Sequence, residues 1–87
     1  MKNLQKIIAN YLLSVDKKDL PELLQGILTP HEIEAIATRF EIVKQLYQKK
    51  PQHKIAADLN IGIATVTRGS RVYQMSIFQK MFAKKND

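Results

Sequence analysis

At 87 residues the chain is long enough for one small domain, yet short enough that a single core leaves it marginally stable without help such as oligomerisation. It has no cysteine, which excludes a disulfide framework and any thiolate metal site, and its 45% hydrophobic content excludes a disordered tail. The net charge of +6 is uneven: residues 1–41 carry five Lys/Arg against six Asp/Glu, a net of −1, whereas residues 42–86 carry nine against Asp58 alone, a net of +8. Such a basic half favours a phosphate-bearing partner.

The first predicted element is an amphipathic helix from about Asn3 to Ser14, with Leu4, Ile7, Ile8, Tyr11 and Leu12 on one face. Residues 7–15 faintly resemble a signal-peptide core, but Asn10 and Tyr11 interrupt the run and Val15-Asp16-Lys17 is a poor cleavage context. Nothing approaches a membrane-spanning length, so a cytoplasmic location without membrane partners is expected.

Asp19 is placed to cap a short second helix with Leu20, Leu23, Leu24, Ile27 and Leu28 on its apolar face and Pro21 in its first turn. Thr29-Pro30-His31-Glu32 then reads as a capping box opening a long helix that carries Ile33, Ile36, Ala37, Phe40, Val43, Leu46 and Tyr47 as a stripe. That helix should end near Lys49, since Lys50 precedes Pro51.

Residues Gln52–Arg68 have the spacing of a helix-turn-helix. Ile55, Ala56 and Leu59 share one face of its first helix, and Ala56 is small where the helices cross. Asn60 falls at the turn, where positive φ is expected, Gly62 sets up the second helix and Val66 points back to lock the pair. Ile63, Ala64, Thr67 and Arg68 then face outward from a helix whose N-terminus would enter a major groove. An ordinary helical hairpin is the plainer alternative, and the surrounding positive charge argues against it. Ser76 and Gln79 suggest a second capping box opening a final helix with Ile77, Phe78, Met81 and Phe82.

The pattern is that of a six-helix all-α protein: one domain over residues 1–87, the helix-turn-helix at about 52–70, and dimerisation helices at about 3–49 and 75–85. The apolar stripes of the first, second and last helices exceed what a monomer of this size buries easily, which favours an interleaved dimer. A basic amphipathic segment lying on a membrane surface is the weaker reading of Met75–Lys85. No enzyme is expected: no Ser/His/Asp or Cys/His set and no glycine-rich phosphate loop occurs, Glu32, Glu34 and Glu41 fall on one helix, and His31 and His53 have no clustered acidic ligands.

Leu28-Thr29-Pro30-His31-Glu32, Ala35-Ile36-Ala37-Thr38-Arg39 and Gly62-Ile63-Ala64-Thr65-Val66-Thr67-Arg68-Gly69-Ser70 resemble the tryptophan repressor family in order and in near-family spacing, over about Leu24 to Ser70. The resemblance implies an intertwined homodimer, a sequence-specific transcriptional repressor that binds double-stranded DNA with L-tryptophan as co-repressor. Thr29 and Arg39 match positions that hold the ligand carboxylate region, and Arg68 matches an arginine stacked on the indole. Gly26 and Leu28 match backbone acceptors for the ammonium, and Gly69 a position against the ring.

On the DNA side, Ile63, Ala64 and Thr67 match base-reading positions, and Gln52, Thr65, Arg68 and Ser70 match backbone contacts. Lys54 and Arg71 are further cations near that face. Since Ile63 and Ala64 lack polar side-chain atoms, backbone amides and bridging waters should matter, as the resemblance also implies.

The chain departs from the family in three ways. Val72 stands where the family has a serine hydroxyl near the ligand ammonium, and losing a hydrogen bond to a charged group costs about 1.5–3 kcal/mol. The loop before the helix-turn-helix, which holds Pro51, is one residue shorter, and the segment after Ser70 is several residues shorter. The same DNA-binding fold answering to another ligand or to none is the alternative that Val72 raises; a helical dimerisation or adaptor module is a third reading.

Overall fold

A computed structural model of the chain describes residues 2–85, so Met1, Asn86 and Asp87, which fall within the expected domain, lie outside the described residues. Six α-helices make up the regular structure: α1 (Leu4–Leu13), α2 (Leu20–Ile27), α3 (Pro30–Tyr47), α4 (Gln52–Leu59), α5 (Ile63–Tyr73) and α6 (Ser76–Lys85). A single 3-10 turn at Lys17–Asp19 leads into α2, and no strand occurs among the described residues. Two compact units are present, Met1–Glu34 and Ala35–Asp87.

In the first unit, α1 and α2 contain no buried residue. Tyr11, Leu13 and Ile27 are 70%, 82% and 71% exposed, although the periodicity marks both helices as amphipathic. Asp19 makes no side-chain cap to α2, contrary to the expectation. Its backbone N–H instead donates to the Asp16 carbonyl at 2.9 Å, closing the 3-10 turn and leaving Asp19 in helical φ/ψ rather than the extended conformation of a capping residue. The capping box forms as the sequence requires. The Glu32 N–H donates to Thr29 Oγ1 at 3.1 Å, and the Thr29 N–H donates to the Glu32 carboxylate at 2.8 Å. The Thr29 backbone N–H, and after it the Thr29 side chain, hold the Glu32 carboxyl below its ordinary pKa.

The second unit is built on Ile42, Ile55 and Val66, none of which has any exposed surface. One comes from each of α3, α4 and α5, and Leu46, Ala56, Leu59 and Ile61 close around them. α6 adds Phe82, buried with its ring 6.4 Å from Tyr47, and Phe78, whose ring meets Phe40 edge-on at 6.5 Å. Gly69 lies where α5 crosses α3: a Cβ there would sit 2.5 Å from the Ile42 Cγ2 methyl. Glycine is the one residue that fits that approach.

Helix ends explain the spacing of α4. α3 stops at Tyr47, two residues before the expected boundary, because Lys49 turns left-handed with φ 67°. The Lys50 N–H then donates to the Gln45 carbonyl and the Lys49 N–H to the Leu46 carbonyl, the paired bonds of a Schellman ending. The same pattern follows α4: Asn60 has φ 55°, the Ile61 N–H reaches the Ala56 carbonyl at 3.0 Å and the Asn60 N–H the Ala57 carbonyl at 3.2 Å. At α6 the expected Ser76–Gln79 box is not made. The Met75 carbonyl accepts the first helical bonds, and the Gln79 side-chain amide donates to the Tyr73 carbonyl at the end of α5. The short connection noted in the sequence is therefore two residues, Gln74 and Met75.

Candidate nucleic-acid interface

The helix-turn-helix forms with the expected bounds for its first helix and with the expected lock. Ile55 and Val66 meet in the core, with Ala56 and Leu59 beside them, so the opposite face of α5 turns to solvent. Ile63, Ala64, Thr67, Arg68 and Arg71 are all exposed on α5, and Lys54 is exposed on α4. Gln52, Thr65 and Ser70 are half-buried at its margin. An isoleucine 52% exposed in the first turn of α5 has no core to fill and is free to contact an apolar surface such as a thymine methyl.

The start of α5 is open. Gly62 has extended φ/ψ, no side chain caps the helix, and a Cβ at Gly62 would meet nothing within 4 Å. The Gly62 carbonyl accepts from the Thr65 and Val66 N–H groups. The Ile63 and Ala64 amides precede the first of these bonds and point out of the helix end, carrying its partial positive charge toward any anion placed there.

Two side-chain links fix the reading surface. The Thr67 hydroxyl lies 3.2 Å from the Gln52 amide oxygen and 3.0 Å from the Ile63 carbonyl. A hydroxyl has one proton, so both contacts are satisfied together when Thr67 donates to Ile63 and the Gln52 amide turns its NH2 toward Thr67. Either way Gln52 on α4 is tethered to α5. Ser70 donates to the Thr67 carbonyl at 2.6 Å, so its hydroxyl proton is engaged within its own helix.

A second network braces α4 from behind, and sequence reasoning missed it. Lys50 Nζ donates to Asp58 at 2.7 Å and to the Gln45 side-chain oxygen at 3.2 Å, and the Gln45 amide donates to Glu41 at 3.0 Å. The Lys50 hydrogen bond holds the Asp58 carboxyl below its usual pKa, and Lys54 adds to this at longer range. Asp58 is the single acid of residues 42–86, so among the described residues of that half this pairing leaves no free carboxylate to compete beside Lys54, Arg68 and Arg71. The eight-residue separation of Lys50 and Asp58 across a turn leaves no periodic signal in the sequence.

The residues matched to a ligand site divide between the two units. In the first, Gly26 is exposed and Leu28 half-buried, and the Thr29 hydroxyl accepts the Glu32 N–H and also helps hold the Glu32 carboxylate. Donation from Thr29 to a ligand carboxylate would compete with that contact. In the second unit Arg68 is exposed, while the Cβ-side of Gly69 is occupied by Ile42, which gives that glycine a packing role irrespective of any ligand. Arg39 lines a cavity of about 400 Å3 together with Phe40, Val43, Val72, Met75 and Phe78 among others. The sequence held one cue to this cavity: Ile36, Arg39, Phe40 and Val43 recur at the three- and four-residue spacing of one helix face.

Comparison with known proteins accords with this geometry. The sequence profile of the family described as Trp repressor protein matches residues 2–85. A Trp operon repressor homolog of Mannheimia succiniciproducens is 38% identical over 76 residues, covering 86% of this chain and 75% of the relative. One from Vibrio vulnificus is 40% identical over 67 residues, 76% of this chain and 66% of the relative, and one from Actinobacillus succinogenes is 44% identical over 55 residues, 62% and 54% respectively. The chain thus spans between about half and three quarters of the length of these relatives. No solved structure matches it. With a match spanning nearly every residue, and six helices of which α4 and α5 form a helix-turn-helix, the chain belongs to the Trp repressor family.

Proposed function

We propose that this chain is a dimeric transcriptional repressor that reads double-stranded DNA with α5 and is controlled by a small carboxylate ligand, L-tryptophan being the first candidate. DNA binding and transcription regulation follow from its family, which is one of regulators rather than enzymes. The observation that carries the reading is the exposed α5 surface, with its uncapped N-terminus and its flanking cations. Ile63, Ala64 and Thr67 read base edges, the first two through apolar contact and free amides; Gln52, Lys54, Thr65, Arg68, Ser70 and Arg71 hold the phosphates. For Ser70 to donate to a phosphate its hydroxyl must leave the Thr67 carbonyl, so its contribution is smaller than that of the cations.

Dimerisation is supported by the exposed apolar faces of α1 and α2, an amount of apolar surface that monomeric proteins rarely present. In the dimer two α5 helices address successive major grooves, about 34–36 Å apart, which calls for a two-fold symmetric site. By the family resemblance, Thr29 and Arg39 are assigned to the ligand carboxylate, Arg68 and Gly69 to its ring, and the Gly26 and Leu28 carbonyls to its ammonium. A ligand that favours the DNA-competent spacing raises DNA affinity, and DNA raises ligand affinity by the same factor.

The test is selection of duplexes from a randomised library, followed by fluorescence anisotropy of the selected site across a salt series with and without L-tryptophan. The expected result is a symmetric site, log affinity falling by about 0.9 per neutralised phosphate for each unit of log salt, and tighter binding with L-tryptophan. Affinity indifferent to salt and sequence would overturn the DNA assignment; a symmetric site with no response to L-tryptophan would overturn only the ligand assignment.

A further inference from the structure

Two side-chain links tie α4 to its neighbours, one near each end. Gln52, the first residue of α4, meets Thr67 on α5, and Asp58, in its last turn, receives Lys50 from the loop that leaves α3. Lys50 is bound to Gln45 of α3 twice, by its backbone N–H to the carbonyl at 3.1 Å and by its ammonium to the side-chain oxygen at 3.2 Å. Gln45 is buried, and its amide donates to Glu41 one turn back, which turns its oxygen toward Lys50. Among the described residues this is the one polar side-chain link between α3 and α4, whereas the shared core of Ile42, Ile55 and Val66 is apolar and non-directional. A carboxylate in the last turn faces the negative end of the helix macrodipole, so what Asp58 contributes to α4 is its bond to Lys50.

We propose that Lys50 is a positioning residue for DNA recognition, setting the tilt of the helix-turn-helix on α3 through Gln45 and Asp58 rather than binding phosphate itself. The proposal rests on the reading that α5 contacts base edges. The ammonium is engaged by two protein oxygens, and Asp58, at 2.7 Å, already matches its charge. Gly69 marks the crossing of α5 with α3, and about 9 Å of helix, at 1.5 Å per residue, separates it from Ile63. A tilt of about 10° about that crossing moves Ile63 by about 1.6 Å, more than the roughly 0.5 Å spread of hydrogen-bond lengths. Base-edge contacts are then lost, while attraction between the basic face and phosphates, which falls off slowly with distance, is kept.

The experiment is fluorescence anisotropy of the full chain with the duplex selected from the randomised library, under the conditions of the selection, and with a scrambled duplex of equal length. The readout is the ratio of the two affinities, in which a change of net charge cancels. Asp58→Ala frees Lys50 and makes the protein more positive, Lys50→Met makes it less so, and neither touches Ile42, Ile55 or Val66. Both should lower the ratio by about three- to tenfold, the range for one half-exposed hydrogen bond of a charged group. The double variant should lower it no further, and Lys50→Arg, which still donates to both oxygens, should keep it. If charge alone mattered, the two single variants would shift both affinities in opposite directions at constant ratio, and the proposal would fall. A salt slope lowered by about 0.9 in Lys50→Met would make Lys50 a phosphate contact and overturn it too. No preference for the selected duplex in the unsubstituted protein would overturn base reading by α5 as well, whereas a preference that survives both single variants would overturn the role of Lys50 alone.

Discussion

Replacing Gly69 by alanine sets two effects of opposite sign against each other at one atom. In a helix interior alanine is favoured over glycine by about 1 kcal/mol, so secondary structure alone predicts a more stable protein. The added Cβ, however, would lie 2.5 Å from the Ile42 Cγ2 and 3.4 Å from the Ile42 Cβ. Cγ2 is bonded directly to Cβ on a β-branched residue that holds one dominant χ1 in a helix, and Ile42 has no exposed surface into which to turn. Relief must come from separating α5 from α3, which places the cost near the upper end for overpacking, about 3 kcal/mol. The net is a loss of about 2 kcal/mol, or a fall in melting temperature of roughly 8–16 °C for a domain of this size. Thermal and urea unfolding should be compared at equal protomer concentration, because association would shift the midpoint. Ile42→Leu removes Cγ2 at a cost of about 1 kcal/mol, and the double variant should be more stable than the sum of the two losses by about 1–2 kcal/mol. An unchanged or raised melting temperature in Gly69→Ala, or strict additivity in the cycle, would refute the claim that contact with Ile42 requires glycine.

Further expectations follow from other elements. Lys49→Gly should stabilise by about 1 kcal/mol, because a left-handed φ costs a residue with a Cβ roughly 1–2 kcal/mol and glycine nothing sterically; a lower melting temperature would contradict the assigned ending of α3. Asp58 and Glu32 have folded-state pKa values below their ordinary ones, so each contributes stability that is present above its unfolded pKa and lost as pH falls through its depressed folded value. Acid titration of unfolding should therefore lose a component below the ordinary carboxylate range, and that component should shrink in Asp58→Asn. Lys54→Ala should weaken DNA binding about equally for all sequences and lower the salt slope by about 0.9, measured by anisotropy, with ligand affinity unchanged. Arg68→Ala should reduce both DNA and ligand binding; equal ligand affinity would remove Arg68 from the pocket.

Much of the helix-turn-helix was legible because its constraints are local and each selects a residue type. Ile55 and Val66 supply the lock, Ala56 the close crossing, and Asn60 the positive φ that few residues with a Cβ accept. The Thr29–Glu32 box was legible for the same reason. Ser76 and Gln79 carry the same signature without forming it, since sequence spacing does not say which residue's carbonyl begins the helix; here Met75 does, and Gln79 finds the end of α5 instead. Lys49 gave no residue-type signal, because lysine is an uncommon left-handed residue. The cavity at Arg39 joins α3 to residues some thirty positions later, a juxtaposition that periodicity along one helix does not reveal.

The two left-handed turns that bracket α4 have a consequence for recognition. A helix of eight residues would be mostly unfolded in isolation, yet α4 is bounded by i→i−5 bonds on both sides and braced through Lys50 and Gln52. Its geometry is set before any partner arrives. Ordering entropy that a looser head would forfeit on contact is already spent in folding, so a small interface keeps more of its interaction energy as affinity. Rigidity of the head also means that Ile63, Ala64 and Thr67 meet a partner in the arrangement the fold already gives them.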